Sequence, residues 1–413
     1  MPRANTKTRR TAPILPGSLV QGWPATLGVM GGGQLGRMFV HAAQALGFET
    51  AVLDPDPHSP AGCVSHHHVQ SDYLDAKGLA ALAACSHAVT TEFENVPAAA
   101  MEFLATKLPV SPAAAALRIA QDRALEKAHF KRSGVPCAPH AVIETGTQLD
   151  AVAASLLPGI LKTTRMGYDG KGQIRVVNRQ ELKAAWAQLK QVPCVLEKVL
   201  PLELECSVIV ARGSDGQCVH LPVQRNLHRD GILAITEVHS RAVPPQLAKQ
   251  AILNAKAIAK ALAYVGVLCV EFFVLKAGTP EQRQLGRLVV NEIAPRPHNS
   301  GHYSLNACDV SQFELQVRAM AGLSLVQPRQ HSPVIMLNLL GDLWPQGANP
   351  AWDKLLALPG THLHLYGKAQ PRTGRKMGHL NVTGKTVAEV KSTARKACRI
   401  LGMAPPAHWQ PKK

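Results

Sequence analysis

The sequence predicts an α/β protein with a mixed α+β middle section, built from a parallel-sheet domain, a larger central unit and a small C-terminal region. Strand-like runs alternate with helical runs after residue 25, which is typical of a parallel sheet covered by helices on both faces. A glycine-rich turn joins the first strand to the first helix. The chain has 413 residues, of which 46% are hydrophobic, so it can build two or three domains with separate cores.

The N-terminal region divides into a tail and a first domain. Residues 1–25 are predicted to form a basic, disordered tail, because prolines and glycines interrupt the uncharged stretch before it reaches membrane-spanning length. Residues 26–114 are predicted to form the α/β domain. Its elements are strands at 27–30, 50–53 and 88–91 and a helix at 38–46. These strands are short apolar runs, which suits a sheet that is buried on both faces.

The central unit is predicted over residues 115–327. A helical run at 115–133 ends before Gly134 and Pro136, which both break helices. The later elements are strands at 160–162, 195–197, 206–210, 268–274 and 288–290 and helices at 181–190 and 246–262. The C-terminal region, 328–402, has predicted strands at 334–339 and 362–366 and a helix at 386–401, and residues 403–413 are predicted as a second tail.

Charge and cysteine content limit the function classes. The formal charge of +17 raises nucleic acid as a partner, but part of it lies in the tails, and aromatic residues, which stack on bases, make up 4%. Anionic small-molecule substrates would benefit from the same positive potential, so we expect no nucleic-acid partner. Because the uncharged N-terminal stretch is interrupted before it reaches spanning length, we expect no membrane partner. The nine cysteines lack metal-ligand spacing and fit a reducing cytoplasm better than a disulfide framework.

The glycine turn matches a dinucleotide fingerprint. Gly31, Gly33 and Gly36 follow the spacing G-x-G-x-x-G between a strand and a helix, and Asp54 ends the next strand. In that fingerprint, N–H groups at the helix N-terminus bind a pyrophosphate and the acid binds a ribose. Three interpretations stay open: an NAD-dependent dehydrogenase, a site for another phosphate-bearing ligand, and a purely structural turn.

A dense polar loop follows the strand at 288–290. Pro295 and Pro297 exclude regular structure there, so the loop presents its polar groups at a strand end, where catalytic groups are often located. Glu271 and Glu292 place two carboxylates on neighbouring strands, and such oxygen ligands suit Mg²⁺, although two satisfied strand acids would give the same pattern. Strand alternation predicts that Asn291 points away from Glu292.

Two further patterns carry alternatives. The segment 162–173 combines lysines and glycines, and its backbone N–H groups can fold over phosphate oxygens as in phosphoryl-transfer enzymes, whereas an ordinary hairpin is the simpler interpretation. The triple His66-His67-His68 has the composition of a metal site. Adjacent strand residues face opposite ways, however, so we expect a surface feature there.

Five segments, taken together and in order, resemble one family. They are residues 28–37 (GVMGGGQLGR), 167–173 (GYDGKGQ), 226–233 (NLHRDGIL), 291–302 (NEIAPRPHNSGH) and 374–379 (GRKMGH). The set resembles the N5-carboxyaminoimidazole ribonucleotide synthases of the ATP-grasp superfamily, over about residues 26–402. The resemblance implies an ATP-grasp fold with a Rossmann-like, pre-ATP-grasp N-terminal domain and a small C-terminal domain.

The same resemblance implies an activity. It is the ATP-dependent carboxylation of 5-aminoimidazole ribonucleotide by bicarbonate, through carboxyphosphate, in purine biosynthesis. ATP, Mg²⁺ (with Mn²⁺ as an alternative ion) and bicarbonate would be required, and a homodimer coupled to the mutase that acts next is the family expectation. Another ATP-grasp ligase or carboxylase with a different acceptor is the first alternative, and the dehydrogenase is the second.

The resemblance also assigns roles to individual residues. The metal ligands would be Glu271 and Glu292, and the catalytic groups would be Arg296 and His298, which hold the intermediate, and Asp169, which manages the amine proton. ATP would be contacted by Arg123, Lys162, Gly167, Tyr168, Asp169, Gly170, Lys171, Gly172, Gln173, Glu197, Lys198, Val199, Leu200, Glu205, His228, Asn291 and Glu292. The ribonucleotide would be contacted by Gln34, Gly36, Glu94, Tyr168, Lys171, Asn299, Ser300, Lys368, Arg375 and Lys376, with His302 also in the pocket wall.

Overall fold

The structure is a computed structural model that describes residues 12–167, 172–344 and 348–409. The α-helices of these residues are α1 (Gln34–Ala45), α2 (Ala76–Ala84), α3 (Ala98–Ala105), α4 (Ala114–Ala120), α5 (Arg123–Arg132), α6 (Gly146–Asp150), α7 (Arg179–Gln188), α8 (Pro245–Ala261), α9 (Pro280–Leu285), α10 (Ser304–Ala307), α11 (Gln312–Met320), α12 (Trp352–Leu356) and α13 (Val387–Ile400). The strands are β1 (Leu19–Val20), β2 (Trp23–Pro24), β3 (Thr26–Met30), β4 (Glu49–Leu53), β5 (His67–Val69), β6 (Ala88–Thr91), β7 (Val110–Ser111), β8 (His140–Ile143), β9 (Gly159–Thr163), β10 (Gln173–Val176), β11 (Cys194–Lys198), β12 (Leu202–Arg212), β13 (Cys218–His220), β14 (Gln224–Arg229), β15 (Ile232–Val238), β16 (Gly266–Leu275), β17 (Leu288–Ala294), β18 (Val334–Leu340), β19 (Thr361–Leu365) and β20 (Lys376–Thr383).

The N-terminal domain contains a five-stranded parallel sheet with the order β5-β4-β3-β6-β7. Its central strand β3 is buried at every position, because Leu27 and Val29 pack in one apolar cluster and Met30 packs in another on the opposite face. This arrangement confirms the parallel sheet that the strand–helix alternation predicts. The carboxyl ends of β3 and β6 lie side by side, so the glycine turn meets the loop that begins at Glu92.

The stretch before this sheet has defined structure in residues 12–25, in contrast to the disordered tail expected there. Strands β1 and β2 form a short hairpin. The N–H group of Ile14 donates to the carbonyl of Ala321 at 2.9 Å, and the Trp23 ring stacks on His87 with ring centres 3.8 Å apart. Ile14 and Val20 pack against the first apolar cluster, and their burial explains why this segment is ordered. Residues 1–11 lie outside the described residues.

The predicted helix at 115–133 is two helices, α4 and α5, so that prediction is wrong in one respect. The chain breaks at Gln121 and Asp122, and the Asp122 carboxylate accepts hydrogen bonds from the N–H groups of Ala124 and Leu125 at 3.0 and 3.2 Å. An aspartate cap of this kind satisfies donors that a helix start leaves unpaired. The break turns α5 so that its first residue, Arg123, faces the central cavity described below.

Two antiparallel sheets form the central unit. The smaller has the order β10-β9-β11-β8, and the larger has nine strands in the order β17-β16-β12-β14-β15-β18-β20-β19, with β13 beside β12. Helices α5 and α8 cover one face of the larger sheet, where Phe130 and Ile258 pack against strand residues such as Val208 and Val270. The two sheets hold the candidate site between them.

The C-terminal strands continue the larger sheet, because β18 pairs with β15 and β20 pairs with β18. Helix α13 packs on these strands through residues that include Val390, Ala394 and Ala397. The predicted strands and final helix of this region are present, with bounds shifted by at most one residue. Residues 403–409 are held in place rather than free: Trp409 is 3% exposed, and its indole N–H donates to Glu237 at 2.8 Å. Residues 410–413 lie outside the described part of the chain.

Among the described helices, none combines the length and the apolar character that crossing a bilayer requires.

Candidate active site

A cavity of about 640 Å³ lies where the N-terminal domain meets both antiparallel sheets. It is lined by residues of the loop after β6, of strands β9 and β17, and of the polar loop after β17. The predicted site residues that line it are Gln34, Glu94, Arg123, Lys162, Gly167, Gln173, Glu205, His228, Glu271, Asn291, Glu292, Arg296, His298, Asn299 and Lys376. The structure therefore brings together most of the residues that the sequence selected from distant segments. Tyr168, Asp169, Gly170 and Lys171 lie outside the described residues.

A β-bulge in β17 places the two predicted metal ligands opposite each other. Val270 pairs with Ile293 and Phe272 pairs with Val290, so Asn291 and Glu292 together face the single residue Glu271. Such a bulge disturbs the normal alternation of side chains. The expectation that Asn291 points away from Glu292 is therefore wrong, and all three side chains line the cavity.

The carboxylate of Glu271 is in an environment suited to a cation. Burial and the nearby carboxylate of Glu292 raise the pKa of Glu271 to about 7. Its Oε1 atom lies 3.1 Å from Nε2 of His298, a ring whose pKa is held well below its ordinary value, chiefly by burial. Two acidic groups in this proximity repel each other, and a divalent cation between them would remove the repulsion.

Arg123 links Glu292 to the glycine-containing hairpin between β9 and β10. Its Nη1 atom lies 3.1 Å from Oε2 of Glu292, and its Nη2 atom donates to the carbonyl of Gly167 at 3.3 Å. A guanidinium at this position can bind phosphate oxygens as well as carboxylates. Its location agrees with the predicted ATP contact.

A buried charge network, which the sequence interpretation largely missed, supports the cavity wall. The Glu197 carboxylate lies 3.2 Å from Nζ of Lys127 and 3.0 Å from Nζ of Lys162. Burial alone would raise the pKa of Glu197, but the two ammonium groups outweigh it and lower the pKa to about 2. Lys127 also donates to the carbonyl of Asn291 at 2.8 Å and thus holds the bulge.

Glu126 completes this network and was missed as well. It accepts a hydrogen bond from the N–H group of Ile293 at 2.7 Å, and burial raises its pKa to about 8 despite the adjacent Lys127. The only sequence signal was an acid–base pair on a face of α5 that also carries Phe130. A pair at such a position would ordinarily be interpreted as part of a solvated surface.

The segment 197–200, which the resemblance assigns to ATP, has its backbone donors partly occupied. The N–H groups of Lys198 and Val199 donate to the carbonyls of Pro139 and Pro158, both at 2.9 Å, so neither donor is available to a base. Glu197, Lys198, Val199 and Leu200 are not among the residues that line the cavity. Within the cavity wall, Glu205 and His228 do face each other, with a carboxylate oxygen 2.6 Å from Nδ1.

The glycine turn is closed by the protein's own carboxylates, which corrects the ribonucleotide contact predicted for Gly36. The N–H groups of Gly33 and Gly36 donate to the two oxygens of Glu92 at 2.7 and 2.9 Å. The N–H group of Gly32 donates to Asp54 at 2.6 Å. Because Glu92 occupies the place where a pyrophosphate would bind, the dehydrogenase interpretation loses its main support. Gln34 still lines the cavity.

The polar loop after β17 divides into residues that face the cavity and residues that support them. Arg296 lines the cavity and pairs through Nε with Glu94, and Asn299 lines it with both amide atoms unpartnered among the described residues. Ser300 is fully buried behind them: its Oγ atom lies 2.8 Å from Ser207 Oγ and 3.0 Å from Nδ1 of His298. Ser300 thus orients His298. It does not line the cavity, so its predicted contact with the ribonucleotide is corrected.

His302 is also displaced from its predicted role in the pocket wall. It is fully buried, and its ring centre lies 4.7 Å from that of His379 and 5.7 Å from that of Phe313. Burial holds the pKa values of His302 and His379 well below the ordinary range, so both rings are neutral packing elements.

The C-terminal basic cluster contributes one of its three predicted residues to the cavity wall. Lys376 lines the cavity, whereas Lys368 and Arg375 do not. Lys368 donates through Nζ to the carbonyl of Lys376 at 2.8 Å, and Arg375 donates to the carbonyl of Gln370 at 2.7 Å. The predicted contacts of Lys368 and Arg375 with the ribonucleotide would thus require these side chains to leave their present partners.

The three adjacent histidines of strand β5 and the turn before it lie at or near the surface. His66, His67 and His68 contact three different groups, namely Thr50, Glu49 and the carbonyl of Asp54, and do not converge on one point. All nine cysteines are free thiols.

This combination of a parallel-sheet domain, two antiparallel sheets and a cavity between them with paired carboxylates and lysines defines an ATP-grasp enzyme, an ATP-dependent ligase. The family models agree: residues 25–121 match the ribonucleotide synthetase preATP-grasp domain, residues 128–313 the ATP-grasp domain, and residues 334–393 the phosphoribosylaminoimidazole carboxylase C-terminal domain. The fold class predicted from the sequence is confirmed.

Individual similar proteins identify the family within this superfamily. The chain is 44% identical to the N5-carboxyaminoimidazole ribonucleotide synthase of Brucella melitensis over 359 residues, which is 86% of this chain and 95% of that protein. A Staphylococcus aureus N5-carboxyaminoimidazole synthetase complexed with ADP is 34% identical with a TM-score of 0.83, covering 95% of this chain and 100% of that one. An Aspergillus clavatus N5-carboxyaminoimidazole synthase in complex with ADP and 5-aminoimidazole ribonucleotide is 31% identical with a TM-score of 0.82, covering 92% of this chain and 99% of that one. The chain belongs to the N5-carboxyaminoimidazole ribonucleotide synthase family.

Proposed function

We propose that this chain carboxylates the exocyclic amine of 5-aminoimidazole ribonucleotide with bicarbonate, at the expense of ATP, in purine biosynthesis. The observation that carries the proposal is the bulge in β17, which turns Asn291 and Glu292 toward Glu271 in a cavity that also contains Lys162, Arg123 and Arg296. This set provides groups for a metal–triphosphate and for an anionic intermediate in one cavity. Family membership supports the choice of acceptor.

The chemistry follows from the poor reactivity of bicarbonate, whose leaving group would be hydroxide. Transfer of the γ-phosphoryl group of ATP to a bicarbonate oxygen gives ADP and carboxyphosphate. The amine nitrogen then bonds to the carboxyl carbon, the C–O bond to phosphate breaks, and the nitrogen loses a proton. Carboxyphosphate hydrolyses readily, so the site must exclude water during the reaction.

Glu271 and Glu292 are the proposed ligands of Mg²⁺, or of Mn²⁺, and the fit rests on the mutual repulsion of their carboxylates. The ion would neutralise charge on the terminal phosphates of ATP. Lys162 and Arg123 are proposed to bind the phosphate oxygens. Glu197 holds Lys162 in place from behind.

The remaining cavity residues are assigned to the acceptor and the intermediate. Arg296, His298 and Asn299 are proposed to hold the acyl phosphate, and the two unpartnered amide atoms of Asn299 suit that task. Gln34, Glu94 and Lys376 are proposed to bind the ribonucleotide, and Lys368 and Arg375 would join them if their side chains reorient. Asp169 remains the predicted proton acceptor; residues 168–171 lie outside the described residues.

Three further statements belong to the proposal by family resemblance. The protein forms a homodimer, acts in the cytoplasm, and is coupled to the mutase that consumes its product. A different acceptor on the same fold is the competing hypothesis, since it would use the same metal and phosphate ligands.

Phosphate release, measured at controlled bicarbonate with and without 5-aminoimidazole ribonucleotide, tests the function. We expect release to depend on both bicarbonate and the ribonucleotide and to stop when Mg²⁺ is chelated. Equal release with an unrelated amine acceptor would favour the competing hypothesis. Oxidation or reduction of a nicotinamide cofactor without ATP consumption would overturn the assignment altogether.

A further inference from the structure

A thiol, a carboxylate and an imidazole meet at the floor of the cavity. Cys269 and Glu271 stand two residues apart on β16, so both side chains lie on the same face of the sheet. His298 reaches this face from the loop after β17. One ligand atom from each of the three residues lies within 4.8 Å of the other two, and Nε2 of His298 lies 3.1 Å from Oε1 of Glu271.

The imidazole of His298 is held so that Nε2 points at this cluster. Its Nδ1 atom accepts a hydrogen bond from the N–H group of Ser300 at 3.3 Å and contacts the Ser300 hydroxyl at 3.0 Å. The Ser300 hydroxyl lies 2.8 Å from that of Ser207, which in turn bonds to Gln224 and Asn226 at 2.9 and 2.8 Å. In that arrangement the ring proton lies on Nε2. Binding an ion through Nε2 would move the proton to Nδ1, where the Ser300 hydroxyl at 3.0 Å can accept the hydrogen bond, as the partners of metal-binding histidines commonly do.

We propose that Cys269, Glu271 and His298 form a binding site for one thiophilic divalent ion, such as Zn²⁺ or Cd²⁺. Thiolate, imidazole and carboxylate are ligands that zinc accepts together, whereas Mg²⁺ prefers oxygen alone. Ligand atoms on one tetrahedral zinc ion lie about 3.3–3.8 Å apart, so the cluster needs only small side-chain shifts to close on the ion. The fourth position would face the cavity, because Glu271 and His298 both line it.

Occupancy of this site would inhibit the enzyme, because Glu271 is shared with the proposed magnesium pair. An ion bound to Cys269 and His298 draws the Glu271 carboxylate away from Glu292, and zinc-type ions bind nitrogen and sulfur ligands far more strongly than Mg²⁺ does. The proposed carboxylation gives Cys269 no task, although its thiol is fully buried beside the site. The inhibitory effect rests on the proposed function, whereas the binding itself does not.

Cys206 provides a matched control for Cys269. It is a buried cysteine on the neighbouring strand β12, 1% exposed, and it packs in the apolar cluster formed with α5 and α8. Within the described residues, the one group of three or more potential ligands that comes this close together contains Cys269 and not Cys206.

Zinc binding to the full chain, in the presence of Mg²⁺ but without ATP or substrates, tests the site. Competition with a chromogenic chelator should show one tight Zn²⁺ site in the wild type, with affinity reduced by about 10- to 100-fold or more in Cys269→Ser and His298→Gln. Cys206→Ser should bind as the wild type does, and Co²⁺ should give a thiolate charge-transfer band that Cys269→Ser lacks. Equal affinity in wild type and Cys269→Ser would overturn the site.

A second measurement separates binding from inhibition. Phosphate release at saturating Mg²⁺ should require at least about tenfold more Zn²⁺ for half-inhibition in Cys269→Ser than in Cys206→Ser. Binding at Cys269 without inhibition would overturn the inhibitory role and leave the site. Binding in a protein that fails to carboxylate the ribonucleotide would leave the site and overturn the proposed function instead.

Discussion

The glycine turn after β3 and the polar loop after β17 are both polar segments at strand ends, but the protein closes one and leaves the other open. In the glycine turn, the N–H groups of Gly33 and Gly36 already bond to Glu92. In the loop after β17, Asn299 lines the cavity, and both of its amide atoms are buried without a partner among the described residues. A motif at a strand end therefore indicates a ligand site only where its polar groups are not satisfied from within.

The largest effect, on turnover, should come from a change beside the polar loop after β17. Glu292→Gln removes one of the two carboxylates proposed to bind Mg²⁺, so turnover should fall by about 10³-fold or more, since a catalytic ion contributes several kcal/mol. Phosphate release measures this loss, and circular dichroism should show an unchanged fold. Glu203→Gln, at a surface pair with Arg287, is the control and should keep near-normal activity. Normal turnover in Glu292→Gln would remove the metal assignment.

Gly33→Ala tests the glycine turn, whose N–H groups bond to Glu92. A Cβ atom at Gly33 would lie 2.4 Å from Oε1 of Glu92, so it should displace the carboxylate and lower the free energy of unfolding by about 1–3 kcal/mol in urea titrations. Gly146→Ala is the matched control, because a Cβ atom at Gly146, at the start of α6, would meet no atom of the described residues within 4 Å. Equal stability of both variants would show that Glu92 does not close the turn.

Lys376→Ala should weaken ribonucleotide binding and spare ATP. Loss of a charged hydrogen bond to a phosphate corresponds to about a tenfold or greater rise in the KM for the ribonucleotide. Arg375→Ala should have a smaller effect, because that guanidinium is bonded to the carbonyl of Gln370. Lys385→Ala, at an exposed position, controls for loss of charge. A larger effect for Arg375 than for Lys376 would mean that the basic cluster reorients on binding.

The smallest expected effect concerns the pH dependence of stability. Glu92 and Glu94 lie on the loop after β6, and their contributions to the free energy of unfolding should change with pH in opposite directions. Burial raises the pKa of Glu92, so its contribution to stability is greatest in acid and declines as the pH rises through the folded-state pKa. Burial also opposes ionisation of Glu94, but Arg296 outweighs it and lowers the pKa, so its contribution is present at neutral pH and is lost as the pH falls below the ordinary carboxyl range.

Urea unfolding of Glu92→Gln and Glu94→Gln, each compared with wild type from about pH 2.5 to about pH 8, measures these slopes. The stability difference for Glu94→Gln should shrink toward acid pH, and that for Glu92→Gln should change in the opposite sense. Parallel slopes would show that the two carboxylates share one environment, contrary to their different partners.

The sequence was sufficient for features that depend on local pattern. Buried strands, the glycine turn and the polar loop at Glu292 to His298 follow from apolar runs and breakers, and the family resemblance gave the fold and the cavity residues. Features that depend on contacts between distant segments could not be predicted. Lys127 supports Asn291 across 164 positions of sequence, and Glu92 fills the turn at Gly33 across 59.

Single-residue irregularities were a second limit. The bulge at Asn291 reverses a side-chain direction that strand periodicity alone would assign, and the Asp122 cap divides a run that has the pattern of one helix. Ser300 belongs to a motif that suggests substrate contact, yet its position one residue beyond Asn299 turns it into the buried support of His298. Each of these outcomes depends on a register or a turn that composition does not encode.

The continuous nine-stranded sheet has a mechanical consequence. Glu271 and Glu292 lie on β16 and β17, and Lys376 begins β20, so one ladder of backbone hydrogen bonds connects the proposed metal ligands to the proposed ribonucleotide contact. Lys162, by contrast, is carried by β9 in the separate four-stranded sheet. If the cavity closes around its ligands, the four-stranded sheet that carries Lys162 should therefore move relative to the nine-stranded sheet. The distance between the proposed metal site and the proposed ribonucleotide contact should hardly change during the catalytic cycle.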